Sequence, residues 1–331
     1  MLKPAIYVTR LLPEVVMDRL REYFMVRVNP HDRVLTRKEI MKNAASCDIL
    51  LCLLTDTIDG EIMDVIPNLL GISNYAVGYD NIDIKAANAR KIPVCNTPGV
   101  LTETTADLTW ALILSVSRRI VEADRYTRTG RFKGWAPLLM LGQDVYGKTL
   151  GIIGAGRIGR AVARRARGFN MRLLYHDQQR NSELEKDSGA IFCSLPDLLS
   201  AADFVSLHIP LHRDTVNYIS AGELQTMKRS AFLINTSRGQ IVDETALLRA
   251  LQKKWIAGAA LDVYYNEPAL TPGLTACNNL VMVPHIGSAS TETRTRMGLM
   301  AADNAVAIME NRKPAALVNP EIWDCRRSIR S

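Results

Sequence analysis

Lys148-Thr149-Leu150-Gly151-Ile152-Ile153-Gly154-Ala155-Gly156-Arg157-Ile158-Gly159-Arg160 runs from an apolar stretch through G-x-G-x-x-G into a helical pattern. Eighteen residues after Gly159, a second apolar run, Met171 to His176, ends on Asp177. A strand, a glycine turn, a helix and an acid at this distance together spell a dinucleotide-binding βαβ unit. Gly154 allows the tight turn, Gly156 lets the backbone approach a pyrophosphate, and Gly159 lets helix and strand pack closely. The helix start offers free N–H groups and a positive dipole end to the phosphates. Asp177 can accept hydrogen bonds from both adenosine ribose hydroxyls, and its charge repels a 2′-phosphate. NAD is therefore the expected cofactor, with NADH preferred over NADPH. Arg180, three residues on in the polar loop Gln178 to Ser182, pulls the other way, because it could swing toward a phosphate.

Strand-like runs continue on both sides of this unit. Downstream lie Phe204–His208, Ala231–Asn235, Ala257–Asp262 and Leu280–Val283; upstream lie Ala5–Thr9, Met25–Val28, Asp48–Leu53, Leu69–Ser73 and Lys91–Asn96. Helical stretches alternate with them, and Thr36-Arg37-Lys38-Glu39 is a capping box opening one of these. The alternation predicts an α/β chain of two doubly wound, Rossmann-like parallel sheets. The seam falls near Asn96-Thr97-Pro98-Gly99, where a Pro-Gly pair punctuates the pattern. Thr104 to Val116 is apolar nearly all round and must be buried on several sides, between domains, against a second subunit, or both. A long helix from Thr291 to Glu310 follows the last strand.

The 331 residues suffice for two cores, and 47% hydrophobic with 23% charged residues is ordinary for a globular chain. The longest apolar runs, such as Trp110 to Leu114, are far short of the ~20 residues of a membrane span. Met1-Leu2-Lys3-Pro4 leads into a strand without a signal-peptide pattern, and six scattered cysteines form no C-x-x-C; both point to the cytoplasm. The net charge of +7 is spread along the chain, and no aromatic residues interleave with the cluster Arg164, Arg165 and Arg167. Nucleic acid is therefore not expected as a partner; a mild positive field suits small anions.

Strand C-termini are where ligands sit in open α/β sheets, and three of them carry pointed polar residues. Arg238 follows Ile234-Asn235-Thr236-Ser237, Asp262 and Glu267 follow Leu261, and His285 follows Val283-Pro284. Together they supply a guanidinium for a carboxylate, a histidine to exchange a proton, and a carboxylate to orient that histidine. A dehydrogenase acting on a 2-hydroxy acid needs that set, because hydride and proton must move together. His208 and His212 are separated by Pro210 at a strand end, so they are not a helical metal pair, and no metal is expected. Ser237 and Ser288 lack a paired base at elbow spacing, which argues against serine hydrolysis.

These residues, in this order, resemble the D-2-hydroxyacid dehydrogenase family over essentially the whole chain, and within it most resemble the glyoxylate/hydroxypyruvate reductases. The likeness rests on Asn74 to Asp83, Asp144 to Thr149, the glycine fingerprint, Asn235 to Gly239, Ala259 to Pro268 and Pro284 to Ala289. It implies a cofactor domain, residues 100–287, inserted in a substrate domain made of residues 1–99 and 288–331. It implies that Arg238 binds the substrate carboxylate and polarises its carbonyl, that His285 is the acid/base, and that Glu267 hydrogen-bonds the histidine and favours its protonated form. Backbone N–H groups at Val77 and Gly78 would hold the carboxylate, with Leu54, Trp135 and Ser288 also at the substrate. Arg157 and Ile158 would lie along the pyrophosphate. Thr105, Pro210, Thr215, Thr236, His285 and Gly287 would flank the cofactor, and Asp262 would hold the nicotinamide carboxamide.

The same resemblance implies a homodimer in which Trp135 reaches the neighbour's active site. Family members that use NADPH commonly carry a small residue and then arginine where Asp177-Gln178 stands here, so NADPH is the lesser expectation. Gly134 to Leu138 also resembles phosphite dehydrogenases, but those carry a lysine where Val77 stands. A dinucleotide-sensing co-repressor would want a long tail, and this chain stops soon after Trp323. A 3-phosphoglycerate dehydrogenase would want a regulatory domain after the core.

Overall fold

Short runs of Ile, Val and Leu, each closed by a polar or glycine-rich turn, make the strands; amphipathic stretches between them make the crossover helices. The computed structural model describes residues 3–327. The chain divides into two units, Met1–Leu101 with Ala289–Ser331, and Thr102–Ser288.

The first unit holds β1 (Ala5–Val8), β2 (Met25–Val28), β3 (Ile49–Cys52), β4 (Gly71–Asn74) and β5 (Val94–Cys95). They lie in the order β2-β1-β3-β4-β5 with every pair parallel. Alternate side chains point to opposite faces, so the sheet builds two cores. Ile6, Val8, Ile49 and Leu51 pack with Val16, Met17 and Leu20 of one helix and Met297, Ala301 and Ala305 of another. Tyr7, Leu50, Cys52, Ile72 and Val94 pack with Ile40, Ile62, Met63 and Ala87 on the other side. The expected capping box forms: Thr36 accepts from the Glu39 amide, and Glu39 accepts from the Thr36 amide at 2.8 Å.

The second unit holds β6 (Thr149–Ile153), β7 (Arg172–His176), β8 (Ile191–Phe192), β9 (Phe204–Leu207), β10 (Phe232–Asn235), β11 (Gly258–Leu261) and β12 (Leu280–Met282). Their order is β12-β11-β10-β9-β6-β7-β8, again all parallel. The sequence reading missed β8, whose two residues are too few to show a period. The chain runs outward from β6 through β8, then returns to β9 on the far side of β6. The switch point therefore lies between β6 and β9, where the glycine turn emerges.

The helix Thr102–Ser117 buries Ala106, Trp110, Leu112, Ile113 and Val116 in its own unit, against Ala161, Val162 and Ala166 and the sheet residues Ile234 and Ala260. Trp110 stacks on Phe169 with ring centroids 4.6 Å apart and donates to the Val162 carbonyl at 3.1 Å. Its apolar character, expected to serve a domain or subunit contact, is largely absorbed within the unit. No helix among the described residues is long and apolar enough to cross a membrane.

Close packing at the glycine turn is tightest at Gly159, where an added Cβ would sit 2.0 Å from the Gly154 carbonyl oxygen. A backbone atom cannot swing aside, so Gly159→Ala should lose stability by about 1–3 kcal/mol or more. Urea unfolding of the variant reads this; an unchanged midpoint would refute the packing argument.

Candidate active site

The glycine turn leaves β6 with Gly154 at φ +100°, a conformation in which an added Cβ would also strike the His208 carbonyl at 2.6 Å. Gly156 caps the helix Arg157–Ala166, and a Cβ there would meet nothing within 4 Å. The ground in front of the helix start is therefore open, and the first helical amides have no partners within the helix. Ala155 is pinned on both sides: its N–H donates to Asp177 Oδ2 at 2.7 Å and its carbonyl accepts from Asn181 Nδ2 at 2.8 Å. Asp177 Oδ1 accepts from the Gln178 amide at 2.7 Å. The carboxylate thus lies beside the turn with lone pairs to spare for a ribose diol. Arg157 is exposed and Ile158 half-buried at the first helical turn. A dinucleotide fits this cradle: open ground before free amides for the pyrophosphate, and an acid at the end of β7 for the ribose.

Beyond β9, exposed Pro210 presents its carbonyl to Thr215 Oγ1 at 2.8 Å, and Thr215 is buried. His208 bonds Ser206 Oγ through Nε2 at 2.8 Å, and burial pulls its pKa down to about 3, so it is a neutral structural imidazole. Thr105 donates to the Gly287 carbonyl at 3.1 Å, and Thr109 bridges the Thr105 carbonyl and the Thr236 hydroxyl. Buried hydroxyls therefore tie Thr105, Thr236 and Gly287 into one group.

The ends of β10, β11 and β12 carry the side chains expected from the sequence to do the chemistry. Asn235 accepts from the Ser237 amide at 3.0 Å and donates to the Arg238 carbonyl at 2.9 Å, which shapes the turn that presents Arg238. Asp262, 1% exposed, accepts from the Ile286 amide at 2.6 Å and from the Gly287 amide at 2.8 Å. Its backbone carbonyl accepts from the His285 amide at 2.9 Å. These three bonds hold His285 at φ 53°, a left-handed conformation that a histidine adopts only when its surroundings impose it. His285 Nδ1 meets Glu267 Oε2 at 2.8 Å, while Glu267 Oε1 accepts from the Tyr264 amide at 2.8 Å. Burial pushes the Glu267 carboxyl up; the bond and charge of His285, the Tyr264 amide and the charge of Arg238 outweigh it and leave the group below the ordinary range. Glu267 therefore stays ionised beside the histidine.

Asp262 is expected from the resemblance to hold a carboxamide; within this chain both its oxygens already brace the His285 loop. Two further braces escaped the sequence reading. Buried Glu244 accepts from the Tyr265 amide at 2.7 Å and from the Thr271 hydroxyl, anchoring both sides of the Glu267 loop. Tyr264 donates its hydroxyl to the Val283 carbonyl at 2.8 Å. Glu244 reads in sequence only as an acid at a helix start. Asn235 was detectable as a strand-end residue that closes a turn on its own backbone.

In the first unit, Val77 and Gly78 follow β4. The Ala76 carbonyl accepts from the Thr97 amide at 2.9 Å, and the Val77 carbonyl accepts from Asn96 Nδ2 at 2.7 Å. A trans peptide is planar, so these bonds aim the Val77 and Gly78 N–H groups the opposite way. Leu54 lies partly exposed in the turn after β3. In the second unit, Trp135 is 84% exposed with Leu138 at 80%, and Ser288 is half-buried beyond Gly287.

Burial pushes the Asp262 carboxyl up to about 6 against the pull of the two amides. Its folded value lies above the ordinary 3.8, so the folded chain holds this proton more tightly than the unfolded one. The contribution is fully present below the ordinary value and is lost as pH rises through about 6. Between about pH 4 and about pH 8, the stability difference of wild type minus Asp262→Asn should fall by about 1–3 kcal/mol. Urea titrations at both pH values measure it; a difference that does not change with pH would contradict a raised carboxyl.

Residues 110–287 match the family model for the NAD binding domain of D-isomer specific 2-hydroxyacid dehydrogenases. A glyoxylate reductase from Korarchaeum cryptofilum is 49% identical over 328 residues, covering 98% of each chain. Among solved structures, a protein from Thermus thermophilus superposes with TM-score 0.89 at 45% identity, covering 95% of this chain and 99% of that one. An NADPH-dependent glyoxylate/hydroxypyruvate reductase from Sinorhizobium meliloti, in complex with NADP and malonate, gives 0.85 at 33% identity, covering 99% and 100%. A matched domain and near full-length identity of this size leave one conclusion: the chain belongs to the D-isomer specific 2-hydroxyacid dehydrogenases, enzymes that work with NAD(P).

Proposed function

We propose that this chain reduces glyoxylate and similar small 2-oxo acids to 2-hydroxy acids, using NADH in preference to NADPH. The observation that carries the reading is the 2.8 Å pair of His285 and Glu267, set with Arg238 at the ends of neighbouring strands. Relatives named glyoxylate reductases support the substrate; neither phosphite oxidation nor a co-repressor role is favoured by them. The second unit is proposed as the dinucleotide-binding domain and the first as the substrate domain, with the aimed amides of Val77 and Gly78 as carboxylate donors. Six free cysteines support a reducing compartment, the cytoplasm.

The cofactor, when bound, supplies a hydride to the carbonyl carbon. Arg238 pairs with the substrate carboxylate through its planar fork and draws electron density from the adjacent carbonyl. With Nδ1 engaged by Glu267, the exchangeable proton of His285 sits on Nε2. As the carbonyl oxygen gains negative charge it takes that proton, and the neutral imidazole recovers one from solvent. Glu267 stabilises the imidazolium before transfer and fixes the ring orientation throughout. Asp177 favours the diol of NADH over a phosphorylated ribose. The exposed apolar residues Phe132, Trp135, Leu138 and Leu141 support a second copy of this chain as the cover for that surface.

His285→Ala should lower kcat on the order of a hundredfold or more by removing the proton donor. Arg238→Lys should raise KM for glyoxylate and lower kcat, because an ammonium cannot make the planar two-point contact. Steady-state rates with glyoxylate decide both, and near-wild-type turnover in either variant would sink the assignment. Light scattering at micromolar concentration should find a dimer; a fully active monomer would remove the subunit reading.

A further inference from the structure

We infer that Glu185 sets cofactor specificity by position: it holds Arg180 as a fixed counter-ion and keeps that guanidinium away from a 2′-phosphate. The inference rests on the reading of Asp177 as the acid beside the adenosine ribose. Arg180 lies three residues after Asp177, and Asn181, next along the chain, touches the glycine turn through the Ala155 carbonyl at 2.8 Å. An arginine at this place is the group that accommodates a 2′-phosphate in dinucleotide folds. Here its Nε and Nη2 donate to the two oxygens of Glu185 at 3.0 and 3.1 Å. Its Cζ also lies 5.9 Å from the centroid of the Phe192 ring.

An exposed ion pair alone would hold such a side chain weakly, because ordering two long side chains offsets most of the attraction. This acid, however, is already in place. Glu185 is three-quarters covered and Oε1 accepts from the Tyr175 hydroxyl at 2.6 Å. That hydroxyl in turn accepts from the Asn181 amide at 2.8 Å, and the Tyr175 side chain is fully buried in β7. Only Arg180 has to be ordered to close the pair. The cofactor loop therefore carries two barriers to a phosphorylated ribose: the negative charge of Asp177, and an arginine committed elsewhere.

The test is the dissociation constants of NADH and NADPH, measured by fluorescence titration without substrate. Wild type, Arg180→Gln, Glu185→Gln and the double variant are compared. Glutamine at 185 can still accept from Tyr175, so the helix Ser182–Ser188 keeps its anchor. Glu185→Gln should tighten NADPH on the order of tenfold, the size of one partly exposed charge-assisted contact, and leave NADH within about twofold. Arg180→Gln alone should change neither constant, and in the double variant it should cancel the gain. An unchanged NADPH to NADH ratio in Glu185→Gln, or a gain that survives loss of Arg180, overturns the inference. The wild-type ratio judges the Asp177 reading separately. Should wild type already bind NADPH more tightly, that reading falls, and a further tightening in Glu185→Gln still decides the role of Glu185.

Discussion

Asp262 lies just past the end of a buried strand, second from the edge of its sheet, with almost no access to water. Such a carboxylate is tolerable only where hydrogen bonds to the charged form repay its lost hydration. The Ile286 and Gly287 amides offset part of that loss, and by donating to the carboxylate they lock the turn after β12. His285 inherits a backbone conformation that its own side chain would not choose, and its ring then meets Glu267 at hydrogen-bonding distance. Remove the carboxylate and the two amides lose their acceptors together, leaving only backbone bonds from the His285 amide to hold the turn. The geometry of the His285–Glu267 pair, the proposed acid/base, is thus a consequence of where one negative charge is buried.

The same device recurs along the C-terminal edge of the second sheet. Asp177 takes the Ala155 and Gln178 amides, Glu244 takes the Tyr265 amide, and Glu267 takes the Tyr264 amide. Loops at strand ends have backbone donors that no ladder satisfies, and a short acid side chain reaches them without a detour through solvent. Each acid then has lone pairs left over, and those are available to something outside the loop: a ribose hydroxyl, an imidazole, a threonine. For Asp177 and Glu267, the acids that shape the loops are for this reason also the ones proposed to act on ligands.

This double use explains what could be read from sequence. The glycine turn, its strand, its helix and Asp177 were legible because their spacing is set by the chain itself, within one βαβ unit. Arg238, Asp262, Glu267 and His285 stood out because parallel sheets put strand C-termini on one edge, so a polar residue just past an apolar run is conspicuous. Glu244 was not legible: its partners lie 21 and 27 residues away, and no local period records a side chain reaching a distant backbone. β8 was missed for want of length. The helix Thr102–Ser117 is legible as buried from its apolar character, but an apolar face does not say which surface meets it. Here that surface includes the Trp110–Phe169 stack and the helix carrying the glycine fingerprint.

The charge balance of the chain fits this picture. With 41 basic and 34 acidic residues, the protein carries a mild positive field, which favours the approach of small anions of either kind, substrate or nucleotide. A field of that sort cannot tell one anion from another. Discrimination has to come from where individual charges are fixed, and in this sheet that means acids held by backbone amides or by a buried hydroxyl, as Glu185 is by Tyr175. Arginines such as Arg160, Arg164 and Arg165 are paired with Glu183, Glu103 and Asp107 along the helix flank, so they add to the general field without competing for a ligand at the helix start. Arg157 stands at that start, and Arg238, past β10, stands where its charge acts on Glu267. Attraction is therefore diffuse and selection is local, and the local part is carried by carboxylates that the fold cannot do without.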